Sequence, residues 1–214
     1  MPLTSIYRLF FIPLLLHPLH GKAQQSELLT PSQVAAIITD SVKTEFKIAY
    51  PIFRVYHYTD RSGQYYCVLT ESDDSVVKNG DDKDTISHAL KAVDLKLDQG
   101  KLTKAWEIND HIIKNENEET TIRFMTRFSE FKDYDGDGII EPLIIYGTRG
   151  ANGYEDGRIK FILYYKGRKF AMRYQGSTFD GQRSEEYDAN MPKPLEDAFQ
   201  RKMQEISKAL QITI

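Results

Sequence analysis

Apolar side chains recur every three to four positions near the two ends of this chain and every second position between them. That pattern predicts helix, a long series of strands, then helix. Val34, Ile37, Ile38 and Val42 form one stripe behind Thr30-Pro31-Ser32-Gln33, a capping box with proline in the first turn, so a first helix is expected over residues 31–44. Phe53 and Val55 then alternate with Arg54 and Tyr56, Arg61-Ser62-Gly63 turns the chain, and residues 64–70 complete a hairpin. Residues 71–84 carry Asp73, Asp74, Asp81, Asp82 and Asp84 around Asn79-Gly80 and read as a solvated loop without metal-ligand spacing. Residues 92–98 and 101–109 pair about Gln99-Gly100, residues 121–128 set Ile122, Phe124 and Phe128 on one side, and residues 142–146 resume as a strand.

The clearest hairpin spans 158–175. A two-residue turn at Gly167-Arg168 sets Tyr165 opposite Phe170, Leu163 opposite Met172 and Phe161 opposite Tyr174, a wholly apolar face. The other face carries Tyr164, Ala171, Ile162, Arg173, Lys160 and Gln175, so burial on one side alone is expected to fix the register. A last helix from near Pro194 carries Leu195, Phe199, Met203, Ile206 and Leu210 as its core stripe. The expected fold is α+β: an antiparallel meander of six or more strands, with an N-terminal and a C-terminal helix packed on one face.

One stretch between strands carries chemistry. Asp133-Tyr134-Asp135-Gly136-Asp137-Gly138-Ile139-Ile140-Glu141 places carboxylates at positions 1, 3, 5 and 9, the Ile139 carbonyl at 7 and Gly138 at 6. This is the spacing of an all-oxygen calcium loop. Ile144 stands at position 12, where an EF-hand has its bidentate Glu, and the flanks read as strands, so an EF-hand is excluded. The nine residues resemble the Asp-x-Asp-x-Asp-Gly-x-x-acid turns of FG-GAP and VCBS-type β-repeats, in which the last carboxylate closes the site. The competing reading takes the two Asp-Gly pairs as tight turns. Four carboxylates in nine residues repel one another unless a cation joins them, which favours the metal. The usual role of such an ion is to rigidify a loop rather than to catalyse.

The first residues read as a secretory signal: Arg8, an apolar core over 9–19 interrupted by Pro13 and Pro18, then Gly21 and Ala23 ahead of a cleavage before Gln24. That core is too short to span a bilayer comfortably, which favours a cleaved signal over a retained N-terminal anchor, and no later stretch is apolar enough to try. Residues 24–214 then form one domain, exported to the periplasm, cell surface or medium. Removing residues 1–23 takes Arg8 and Lys22 and no acid, so the formal charge goes from -3 to -5. An exported acidic chain is a poor fit to nucleic acid. Cys67 is the only cysteine, so no internal disulfide staples the fold, and it reads as a small core residue.

No catalytic motif stands out. His57, His88 and His111 lack ligand spacing, and the glycine-rich run 147–153 lacks the signature of a phosphate or dinucleotide loop. A glycosidase-like carboxylate pair such as Glu107 and Asp110 remains the alternative, because such pairs meet in space and leave no spacing in sequence. Residues 158–183 carry a net +6 inside the acidic chain, so a basic face built from Lys160, Tyr164, Arg173 and Gln175 is a candidate for an anionic surface polysaccharide or a lipid phosphate, beside the plainer reading of a solvated charged face.

Residues 131–210 also resemble, as a block, a family of small exported proteins of Gram-negative bacteria associated with surface polysaccharide biosynthesis. The resemblance is carried by Lys132-Asp133-Tyr134-Asp135-Gly136-Asp137-Gly138, Glu141-Pro142, Tyr146-Gly147-Thr148, Asp156-Gly157-Arg158-Ile159-Lys160, Tyr165-Lys166-Gly167, Arg173-Tyr174-Gln175, and Asp180 with Arg183. It implies a pathway rather than a reaction. Without a nucleotide-sugar motif, it points to an accessory factor and not a glycosyltransferase.

Overall fold

A computed structural model describes residues 26–79, 82–112, 119–150, 153–176 and 183–211. The expected signal segment and its cleavage point lie outside the described residues, as does Asp180. After strand β1 (Glu27–Leu28), the capping box forms as expected: the Thr30 N–H donates to Gln33 Oε1 at 2.8 Å, and Thr30 Oγ1 accepts from the Gln33 N–H. The single helix expected over 31–44 is instead two, α1 (Pro31–Ile37) and α2 (Asp40–Glu45). Ile37, Ile38 and Thr39 are β-branched and poor helix formers. Ile38 leaves the helix to bury itself at 1 % exposure, and Thr39 caps the second helix by accepting from the Val42 N–H.

The strands follow as β2 (Ile52–Asp60), β3 (Gly63–Glu71), β4 (Asp74–Asn79), β5 (Asp82–Ser87), β6 (Ala89–Asp98), β7 (Lys101–His111), β8 (Thr121–Phe124), β9 (Glu130–Lys132), β10 (Glu141–Arg149), β11 (Arg158–Tyr165), β12 (Arg168–Gln175) and β13 (Ser184–Tyr187), before helix α3 (Lys193–Leu210). They make two sheets. The first has the order β1-β2-β3-β6-β7, the second β13-β12-β11-β10-β8-β5-β4, with β9 paired to β10.

Three apolar clusters define the layers. One holds Tyr58, Cys67, Leu69, Ala92 and Trp106 from the first sheet against Ile122, Ile144, Ile162 and Ala171 from the second. Another packs α3, through Leu195, Phe199, Met203 and Ile206, on Leu143, Phe161, Leu163 and Met172. The third packs Ile38 and neighbouring residues of α1 and α2 on Val55, Val68 and Leu95. The order is therefore helix, sheet, sheet, helix. The single meander covered on one face is corrected: β3, β6 and β10 carry apolar residues on both faces, and each sheet buries one face on the other and its second under a helix. Among the described residues no helix is long and apolar enough to cross a membrane.

Local expectations are corrected at three points. The polar segment 71–84 contributes strand β4 and part of β5, paired Asn79 with Asp82; Asn79-Gly80 is a hairpin signal that its aspartates obscured. Strand β8 stops at Phe124, and a turn closed by the Phe128 N–H on the Met125 carbonyl carries Phe128 to the α3 side. The β11–β12 turn is Lys166-Gly167, with φ of +49° and +74°, so Leu163 faces Phe170 and Phe161 faces Met172. A turn needing two left-handed residues takes glycine second, where the expectation had it first. The apolar face is unchanged, but Ile162 and Ala171 are also buried on the other.

Candidate metal centre

The loop between β9 and β10 folds on its own carboxylates. Both oxygens of Asp133 accept main-chain hydrogen bonds, Oδ1 from Gly136 at 2.6 Å and Asp137 at 3.2 Å, Oδ2 from Gly138 at 2.8 Å. Asp135 Oδ1 accepts from the Asp137 N–H and Asp137 Oδ1 from the Ile139 N–H, while Glu141 Oε2 accepts from the Tyr134 N–H at 2.9 Å. Gly136 and Gly138 hold φ of +78° and +85°, which explains glycine at both turns. Asp133, Asp135, Asp137 and Glu141 thereby each bring an oxygen within 4.8 Å of the others. Oxygens on a sphere of about 2.4 Å radius, the usual calcium–oxygen distance, are at most about 4.8 Å apart. The cluster can hold a metal ion, and among the described residues it is the one such group. Ile139 occupies the loop at its expected position.

The electrostatics follow from burial and neighbours. Glu141 is 2 % exposed; burial, and then the charges of Asp135, Asp133 and Asp137, push its carboxyl up to about 7, against the Tyr134 N–H. A cation placed among these groups removes the penalty. Asp135 is held down at about 2 by hydrogen bonds from Lys166 and Tyr165, at 2.9 and 2.8 Å. Lys166 also lies 3.8 Å from Asp137. Lys166 thus sits where it competes with an added cation, and Lys166→Gln should tighten calcium binding by about threefold at low ionic strength, with the difference closing in high salt. Equal titrations of parent and variant at low salt would show that the lysine swings aside at no cost.

Two further contacts were not legible in the motif. Asp60 Oδ2, at the end of β2, accepts from the Ile140 N–H at 3.0 Å, and the Gly138 carbonyl accepts from the Arg61 N–H at 3.0 Å. The loop is therefore fastened to the β2–β3 turn of the first sheet and, through Tyr165 and Lys166, to the β11–β12 turn of the second. An Asp-Arg-Ser-Gly turn carries no sign of a partner 80 positions away.

The remaining candidate residues divide. Lys160, Arg173 and Gln175 line one cavity of about 290 Å³. Tyr164 does not join them: it stacks on Trp106 with ring centroids 4.5 Å apart and donates its hydroxyl to the Glu107 carbonyl. Glu107 and Asp110 lie on opposite faces of β7, because alternation sends Trp106, Ile108 and Asp110 one way and Glu107 the other. Glu107 pairs with Lys91 and Lys104, Asp110 with Lys160, so these two carboxylates cannot flank one bond. Cys67 is fully buried, as expected of a core residue.

Set beside known proteins, the chain matches no family model, no curated protein and no solved structure, so the reading of this loop rests on its own geometry.

Proposed function

We propose that this is an exported, calcium-binding and non-catalytic protein of the cell envelope, an accessory factor in surface polysaccharide biosynthesis or binding. The observation that carries the calcium assignment is the convergence of four carboxylates, in the ligand order of a calcium loop, to within 4.8 Å of one another. All-oxygen donors select a hard cation, and a carboxylate-rich loop suits calcium, which accepts about six to eight oxygens in adaptable geometry, better than magnesium with its strict octahedron. The envelope assignment is supported by the N-terminal segment and by the resemblance of residues 131–210, and the partner it implies is an anionic polysaccharide.

Titration calorimetry with calcium, magnesium and zinc separately tests the metal, with one calcium per chain expected and a weaker magnesium response. Fractionation of expressing Gram-negative cells tests the compartment: the recovered chain should begin at Gln24 outside the cytosol. An intact Met1 on cytosolic protein would remove the envelope role while leaving the metal site standing. A deletion strain with unaltered surface polysaccharide would remove the pathway assignment.

A further inference from the structure

On the inner face of the second sheet, apolar contact with the first sheet gives way to polar side chains toward the β13 edge. Ile162 and Ala171 are buried, whereas the next positions form a regular grid on three neighbouring strands. Lys160 lies opposite Arg173, which lies opposite Glu186; in the adjacent row Arg158 lies opposite Gln175, which lies opposite Ser184. These six side chains border the cavity of about 290 Å³. That volume is at the low end for ligand sites and suits a molecule of about one sugar ring.

The grid places Lys160 directly across from Arg173 with Arg158 two positions along, an arrangement that costs stability in a sheet. Each cation is held by a carboxylate. Glu119 takes Arg158 through two hydrogen bonds of 2.6 Å, Asp110 takes Lys160 at 2.7 Å, and Asp188 takes Arg173 at 2.8 Å. Glu119 in turn accepts from the buried Thr148 hydroxyl. A clamp between elements would need only oppositely charged neighbours. Like charges on adjacent strands, each fixed by a carboxylate, instead make a rigid set of donors. Among the described residues Arg158 uses Nε and Nη2 on Glu119 and Arg173 uses Nη1 on Asp188, which leaves Nη1 of the first and Nε and Nη2 of the second. Guanidinium donors in fixed planes match the oxygens of a carboxylate or phosphate.

We propose that this grid binds the oxyanion of a small polyhydroxylated molecule, through Arg158, Lys160 and Arg173. Glu186 sets the rest of the ligand: it repels a second anion and accepts from a hydroxyl, and Gln175 and Ser184 offer further partners for hydroxyls. The ligand therefore carries one charged group, carboxylate or phosphate, on a hydroxylated body. The four carboxylates outnumber the three cations, so recognition comes from fixed hydrogen bonds at short range and not from a long-range positive field. The site lies apart from the metal loop and stands without it.

Calorimetry and amide chemical-shift mapping on the full chain in saturating calcium test this with four probes. Glucuronate and glucose 6-phosphate should bind and shift β11, β12 and β13 amides, and the tighter of the two identifies the oxyanion. Inorganic phosphate should bind at least threefold more weakly than the better sugar, and glucose should not bind. Arg173→Gln should weaken the better ligand by about tenfold or more, whereas Glu186→Gln, a conservative change on an exposed edge strand, should tighten inorganic phosphate by about threefold at low salt. If neither sugar anion produces a saturable response, or if a folded Arg173→Gln chain binds within twofold of the parent, the three ion pairs are structural clamps only and the proposal fails. Phosphate binding as tight as the sugars would overturn the hydroxylated body.

Discussion

In 2 mM calcium the protein should melt about 4–7 °C higher than in chelator. With a dissociation constant of about 0.1 mM, linkage to the folded state gives roughly 1.8 kcal/mol, and a chain of this size gains about 2–4 °C for each. Asp135→Ala should abolish the shift, because it removes a ligand oxygen from the cluster that also includes Asp133, Asp137 and Glu141. The matched change Asp82→Ala, in the β4–β5 hairpin, should leave it intact. Scanning calorimetry with and without chelator is enough. A melting temperature indifferent to calcium would reduce the loop to a tight turn held by its Asp-Gly pairs.

Asp94→Asn should stabilise the protein at pH 8 by about 2–4 kcal/mol and do little near pH 4. Asp94 lies between the sheets at 1 % exposure; its Oδ2 accepts the Tyr58 hydroxyl at 2.8 Å, and its Oδ1 has no partner among the described residues. Burial pushes its carboxyl up to about 7 against that hydrogen bond, and the charge of Asp60 adds to burial. An unfolded aspartate titrates near about 3.9, so between about pH 4 and 7 the folded chain holds a proton that the unfolded chain has released. Stability from this group is therefore greatest in acid and declines as pH rises through that window. Asparagine keeps an acceptor for Tyr58 and carries no charge. Urea unfolding of parent and variant at pH 4.5, 6 and 8 measures the difference. An equal difference at all three would mean that Asp94 does not titrate there, and its high position would have to be abandoned.

The acidic loop and the polar grid differ in how much of them could be read from the chain. The convergence of the acidic loop was legible because carboxylate spacing, glycine placement and main-chain hydrogen bonds all fall within nine residues. The capping box, the β2–β3 and β6–β7 turns and the apolar stripe of α3 are local in the same sense. What was not legible depends on distant pairs. Period-two alternation says that a strand has two faces but not what covers each, so one meander and two facing sheets look alike until Trp106 meets Tyr164 and Tyr58 meets Phe131. Tyr164 looked like part of a basic surface because its partners on β7 are remote. The basic hairpin likewise looked unpaired, since the carboxylates that hold Arg158, Lys160 and Arg173 lie 39, 50 and 15 positions away. Where the β11–β12 register slipped, one left-handed lysine decided it.

Because the acidic loop is fastened to a turn of each sheet, a calcium ion bound there would act as a compartment-dependent rivet on the seam between them. A site of roughly 0.1 mM affinity stands empty at cytosolic calcium levels and fills at those of extracellular fluids. Under the export reading, a newly made chain would keep a loose seam inside the cell, where translocation needs it unfolded, and would lock on arrival outside. Amide exchange across β9, β10 and the β2–β3 turn should then slow together on adding calcium, while exchange in the β12–β13 region remains near its former rate.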